Sequence, residues 1–216
     1  MRYSALMADN VPSQGAAAAD HPDADAGRQD PWDSTPIGPR SAWPPALCTL
    51  ATPCTLGGVV NASIVGGTIL NSDQPFADIP KGAIAGGNFL SAGPTTTQDS
   101  TIQFDGGLSY VSFLWGSPDL YNALTVKTTA GDVPFTASGL GFSVTNGDQS
   151  FSTYVQFTAN AGVAIKGLVF SNVPSVDAFE VANFNVTAAV PEPETYVLML
   201  AGLGAVGFMN RRRRKA

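Results

Sequence analysis

Few side chains in this sequence are equipped for catalysis. Its 216 residues include one histidine, His21, and two cysteines, Cys48 and Cys54. A Ser/His/Asp triad needs a base beside its nucleophile, and His21 lies in an Ala-, Asp- and Pro-rich stretch ahead of any apolar periodicity. Paired carboxylates are the remaining acid/base route, with Asp105, Asp119, Asp177 and Glu180 as candidates for a glycosidase pair. Four acids over a hundred residues is what chance supplies, and spacing alone does not make a site. The glycine pairs at 57–58, 66–67, 86–87 and 106–107 read as turns, since none opens a helix as a phosphate cradle would. The chain therefore reads as non-enzymatic.

Binding chemistry has better material. Trp115, Asp119, Tyr121 and Asn122 could line a sugar site, because aromatic faces stack on sugar rings while carboxylates and amides bond hydroxyls. The competing and preferred reading puts Trp115 and Tyr121 in the core, with Asp119 capping a turn. Calcium could accompany an acidic loop of this kind. The alternating acids of residues 21–27, HPDADAG, read as a solvated linker, because a calcium loop needs further oxygen ligands at fixed spacing. Cys48 and Cys54 could close a small disulfide loop in an oxidising compartment, with unlinked thiols as the alternative. A four-ligand zinc site would have to recruit carboxylates and is discounted.

The most specific pattern lies at the C-terminus, where three parts follow in order. Pro191, Glu192 and Pro193 come first, then an uncharged apolar run over residues 195–209, then Arg211, Arg212, Arg213, Arg214 and Lys215. The prolines stiffen the chain toward extended geometry, so a helix starts only after them. An uncharged helix suits lipid, where every backbone group must be satisfied within the segment. At about 1.5 Å per residue the run reaches roughly 22 Å, short of a hydrocarbon core of about 30 Å. Tyr196 at one interface and snorkelling arginines at the other make spanning strained but feasible. Clustered cations stay on the cytoplasmic side, which places the preceding chain across the membrane.

This tail resembles the PEP-CTERM sorting signal of bacterial surface and exopolysaccharide-associated proteins. Pro191, Glu192 and Pro193 match the named motif, Gly202 and Gly204 fall within the hydrophobic stretch, and Arg211 to Arg214 form the terminal patch. The resemblance implies processing by an exosortase, a membrane-embedded cysteine protease-transpeptidase that cuts near the motif and releases or transfers the remainder. A plain C-terminal anchor is the alternative; the shortness of the run favours processing. The string FLWGSPDLYN, residues 113–122, resembles one that recurs after a strand in exosortase-dependent surface proteins. Exopolysaccharide or biofilm matrix is the setting this implies, with the body at the cell surface or secreted.

Composition agrees with an exported body. Charged residues make up 13% of the chain, with 23 glycines and 16 prolines. All 17 acidic residues but only 6 of the 11 Lys and Arg precede the apolar run, giving residues 1–194 a formal charge of −11. Such a surface is a poor nucleic-acid binder, which needs clustered Lys and Arg.

The elements that must position these residues are short strands. Runs rich in β-branched and aromatic residues fall at 59–65, 101–104, 108–115, 123–128, 140–145, 150–158, 162–170 and 178–187, separated by Gly, Pro, Asn and Asp. That spacing predicts an antiparallel β-sandwich. Residues 108–115 are apolar on both faces and read as a central strand. Residues 141–157 predict a hairpin about Asn146-Gly147. The last run, 178–187, resembles the closing strand of jelly-roll modules. It would set Phe179, Val181 and Asn185 against Glu180, Ala182, Phe184 and Val186.

The expected organisation is a disordered, low-complexity segment over 1–56, a jelly-roll-like β-sandwich over 57–189, and a sorting signal with one short transmembrane helix over 190–216. An export-type tail sits awkwardly with a head that has no basic start followed by an apolar core. The expectation drawn from that clash is a wrong start or frameshift in place of the true leader.

Overall fold

Residues 101–105 alternate polar and apolar side chains and residues 108–115 are apolar on both faces, and the chain builds one long strand from them across the Gly106-Gly107 pair. The computed structural model describes residues 2–6, 54–56, 60–84, 88–94, 99–174, 176–189 and 199–203. Its strands are β1 (Arg2–Leu6), β2 (Cys54–Leu56), β3 (Val60–Val65), β4 (Thr68–Leu70), β5 (Phe89–Ala92) and β6 (Ser100–Gly116). After these come β7 (Asn122–Thr128), β8 (Gly131–Thr136), β9 (Ser152–Thr158), β10 (Ile165–Asn172) and β11 (Phe179–Ala188). The fold is mostly β and every pairing is antiparallel.

The long strand organises the rest because its two halves have different neighbours. Residues 101–104 pair with β3, and residues 100–103 with β10, which continues to β7 and β8. Residues 110–116 pair with β9, and residues 108–116 with β11, which continues to β5 and β4. A strand whose two halves join opposite parts of one sheet that pack face to face must bend between them. Gly107 sits at that bend, where an added Cβ would stand 2.6 Å from the Ala164 methyl.

Folded about this corner, the two halves bury one core, an arrangement consistent with a β-sandwich. Phe113 of β6 meets Phe170 of β10 edge-on at 5.6 Å, and Phe135 of β8 lies 4.9 Å from Phe157 of β9. Trp115, Phe179, Phe184, Leu124 and Leu168 complete the same interior. The expected central strand is seen: Ser112 and Leu114, on the face of β6 away from this core, are buried too. Residues 71–84 run over that outer face, where Phe76, Ile79 and Ala83 pack with Ala77, Phe89, Ala178 and Ala182 in a second small cluster.

Four expectations need correction. Residues 101–104 and 108–115 are one strand. Residues 141–157 do not form a hairpin, because both edges of β9 are taken by β6 and β1. Phe142 instead turns inward onto Trp115, and Asn146 bridges to Asp119. Within the segment expected to be disordered, Arg2–Leu6 pairs with the open edge of β9 and Cys54–Leu56 pairs with β3, since unpaired strand edges recruit extended chain. The phase of β11 also changes midway. Asn183 takes a left-handed φ of 54° in a bulge between Ala182 and Asn185. The extra residue carries Phe184 to the inner face, where it stacks on Phe113 at 5.3 Å.

Candidate functional site

The four residues that could face a sugar lie around the β6–β7 turn, Trp115 near the end of β6, Asp119 and Tyr121 in the loop and Asn122 at the start of β7, and the fold divides them. Trp115 is completely buried, stacked on Phe179 at 4.1 Å and met edge-on by Phe142 at 5.1 Å. Its ring face is spent on the core, the preferred of the two readings, and is not open to stack on a sugar. Asn122 is also buried. Its Oδ1 accepts from the Asp119 amide at 2.8 Å while its own amide donates to the Asp119 carbonyl at 3.2 Å, so Asn122 is the residue that caps the turn. Its Nδ2 reaches Asn172 Oδ1 at 3.5 Å, and Asn172 ties the turn before β11 through the Asp177 carbonyl.

Asp119 is buried and Tyr121 half-buried, and the two interact with each other. Burial pushes the Asp119 carboxyl above its ordinary range, the Tyr121 hydroxyl opposes that by donating to it, and the Asp177 charge adds to it. Burial first, and then the hydrogen bond to Asp119, push the Tyr121 hydroxyl up to about 12. The Asp119 carboxylate lies against Gly147, where a Cβ would come within 2.9 Å of Oδ1.

The deeper acid is Glu180, which sits on β11 opposite Gly116 of β6. It is fully buried. Ser117, held at a φ of 31° directly after β6, donates its hydroxyl to Glu180 Oε2 at 2.6 Å. Glu180 Oε1 is buried without a hydrogen-bond partner. Burial is the main cause that holds this carboxyl well above its ordinary value of 4.5. The Asp119 and Asp78 charges act in the same direction, against the Ser117 hydrogen bond. Above it lies Pro80. A Cβ on Gly116 would stand 2.9 Å from Pro80 Cγ and 3.3 Å from Glu180 Cβ, so only glycine allows the chain over 71–84 to sit this close.

Of the four acids named as a glycosidase pair, Asp119, Asp177 and Glu180 gather at this end, while Asp105 is exposed beside the corner of β6. The group does not resemble a cation site: among the described residues no three His, Cys, Asp or Glu are placed to hold a metal ion. Asn183 escaped the sequence reading altogether. Its Nδ2 donates to the Gly82 carbonyl and to Tyr154 Oη, both at 2.8 Å, and its Oδ1 accepts from the Ile84 amide at 2.9 Å. A charge and two asparagines within the otherwise apolar run over 178–187 were the available signal.

The C-terminal pattern lies mostly beyond the described residues, as do Pro191, Glu192, Pro193, Arg211, Arg212, Arg213, Arg214 and Lys215. Cys48 does too, so the disulfide expected with Cys54 falls outside the described residues. Residues 199–203 are helical, with Met199, Leu200 and Leu203 exposed. Among the described residues no helix is long and apolar enough to cross a membrane.

Comparison with known families identifies this tail. The family model of the PEP-CTERM protein-sorting motif matches residues 189–214, a span that takes in Pro191 to Pro193 and Arg211 to Arg214. No curated protein and no solved structure matches the chain. The motif implies export to the cell envelope or surface and recognition by an exosortase, a membrane processing enzyme.

Proposed function

We propose that this chain is an exported, non-enzymatic protein of the cell surface or extracellular matrix, built as a jelly-roll-like β-sandwich and processed at its C-terminus by an exosortase. The observation that carries the proposal is a boundary. The last strand ends at Ala188 and the sorting motif begins at residue 189. The signal follows the body without sharing a strand with it, so cutting near Pro191 leaves the β domain whole. The apolar run over 195–209 crosses the membrane transiently as a short helix, with Arg211 to Lys215 on the cytoplasmic side. Exopolysaccharide is the matrix that the resemblance of the tail suggests.

A carbohydrate-binding role for the β6–β7 loop has less behind it, since Trp115 is interior and Asn122 is engaged by the turn. Catalysis by carboxylates has less again, since Glu180 is covered. Intact-mass measurement on protein from producing cells tests the processing. The expected mass lacks everything from about Pro191 onward. Full-length chain that retains Arg211 to Arg214 in the membrane fraction would establish a plain anchor and overturn the proposal.

A further inference from the structure

The β domain contains a buried acid that its packing leaves half-satisfied, under a segment that belongs to no strand. Residues 71–84 pack on their own small apolar cluster, separate from the main core. Among the described residues their fastenings are few. Asn183 holds the Gly82 carbonyl and the Ile84 amide, and the Phe76 carbonyl accepts from the Ala178 amide at 2.8 Å. Inside the segment, Asp73 Oδ1 accepts from the Ile79 amide at 2.9 Å, and the Ala83 amide donates to the Pro80 carbonyl at 2.9 Å. A unit with a small apolar contact and few hydrogen bonds opens without global unfolding.

We propose that residues 71–84 form a pH-released strap, closed over β6 and β11 while Glu180 is protonated and opened when Glu180 ionises. The charges that act on Glu180 fix the sign, Asp78 from the strap and Asp119 from the β6–β7 loop. Behind them, Asp73 of the strap acts on Asp78, Tyr121 and Asp177 act on Asp119, and Lys81 of the strap acts on Asp148 in the turn before β9. Ionised Glu180 would thus be a third negative charge in a dry site, with Oε1 lacking any donor. Lifting Pro80 off Gly116 hydrates the carboxylate and separates it from Asp78. The strap bonds are then lost, and the apolar surface of Phe89, Ala178 and Ala182 is uncovered.

Hydrogen exchange on the full chain from pH 5 to 9 tests this, with rates corrected for intrinsic exchange. The amides of Ala77, Ile79, Ala83 and Ile84 should lose protection by up to about tenfold per pH unit, the slope expected when opening releases one proton. Amides of Phe113 and Phe157 in the core should not follow. Glu180→Gln should flatten the strap profile, and Asp78→Asn, which removes a charge that pushes the Glu180 carboxyl up, should make the loss smaller and level it off at lower pH. Should Glu180→Gln fail to fold, the parent and Asp78→Asn profiles still decide. Strap protection independent of pH, loss shared equally by the core, or an Asp78→Asn profile that coincides with the parent would each overturn the proposal.

Discussion

Replacing Asn183 with alanine removes the clasp of the strap, and its cost can be worked from the geometry. Asn183 is buried and makes three hydrogen bonds, to the Gly82 carbonyl, to Tyr154 Oη and from the Ile84 amide. At a net value of about 1 kcal/mol each, their loss costs about 3 kcal/mol. Alanine must also adopt the left-handed φ of 54°, at roughly 1 kcal/mol more. Opposing both, the strap can open in the variant and let water reach the Gly82 and Ile84 backbone, which limits the loss. The expected destabilisation is about 2–4 kcal/mol. Asn183→Gly separates the contributions, since glycine loses the hydrogen bonds and keeps the φ. It should be about 1 kcal/mol less damaging than alanine, less whatever its extra freedom in the unfolded chain takes back. Urea unfolding reads both, because the fluorescence of buried Trp115 reports the core and a midpoint shift at constant slope is a change in stability. An alanine variant within 0.5 kcal/mol of the parent, or a glycine variant clearly worse than alanine, would refute the assignment of Asn183 as clasp.

Two further outcomes follow from buried side chains. Glu180 keeps its proton in the folded chain to a pH well above 4.5, whereas the unfolded chain releases it near that value. The folded state therefore binds more protons in that window. This group's stabilising contribution is complete below pH 4.5 and falls by about 1.4 kcal/mol per pH unit until Glu180 ionises in the folded protein as well. Glu180→Gln abolishes the fall while leaving Asp78 and Asp119 in place, so the stability difference between variant and parent should widen with pH in urea titrations; parallel curves would refute it. Trp115→Ala should destabilise by about 3–5 kcal/mol, the cost of emptying a buried aromatic site. On a glycan array, binding that is lost in this variant while its urea midpoint stays unchanged would return Trp115 to a surface role.

Strand positions were legible where a single rule governed them. Runs of β-branched and aromatic residues placed β3, β7 and β9 to within about two residues, and β7 and β9 bury one face each. Alternation failed where backbone geometry intervened. Asn146-Gly147 does turn, with Gly147 at a φ of 72°, yet residues 140–145 form no strand because β9 already has partners on both edges. In β11 strict alternation put Phe184 beside Glu180, and one bulged residue reversed it. Strands β4, β5 and β8 were passed over because three to six residues with interspersed Thr, Ser, Gly or Pro carry little period. The acidic cluster was visible as residues and invisible as a site, since Glu180, Asp119 and Asp78 meet only through the register of β11 on β6 and the course of the strap.

The position of β11 ties the fold to the signal that follows it. This last strand is inserted between β5 and β6 and does not lie at an edge. Until residues 179–188 are in place, β4 and β5 have no strand partner in the rest of the sheet among the described residues, and the strap has neither Asn183 nor Ala178 to hold it. Native structure is therefore complete only when the chain has been made available to within one residue of the sorting motif. For an exported chain whose tail carries the processing signal, the body cannot close before nearly all of it has crossed. On the proposed processing, residues 189–214 are the stretch that still tethers it while β11 docks. Cutting near Pro191 leaves Ala188 and Ala189 attached to the sheet, where the Ala189 amide donates to the Gly107 carbonyl at 2.8 Å. That bond closes the chain onto the corner of β6, the place where the two halves of the sheet part.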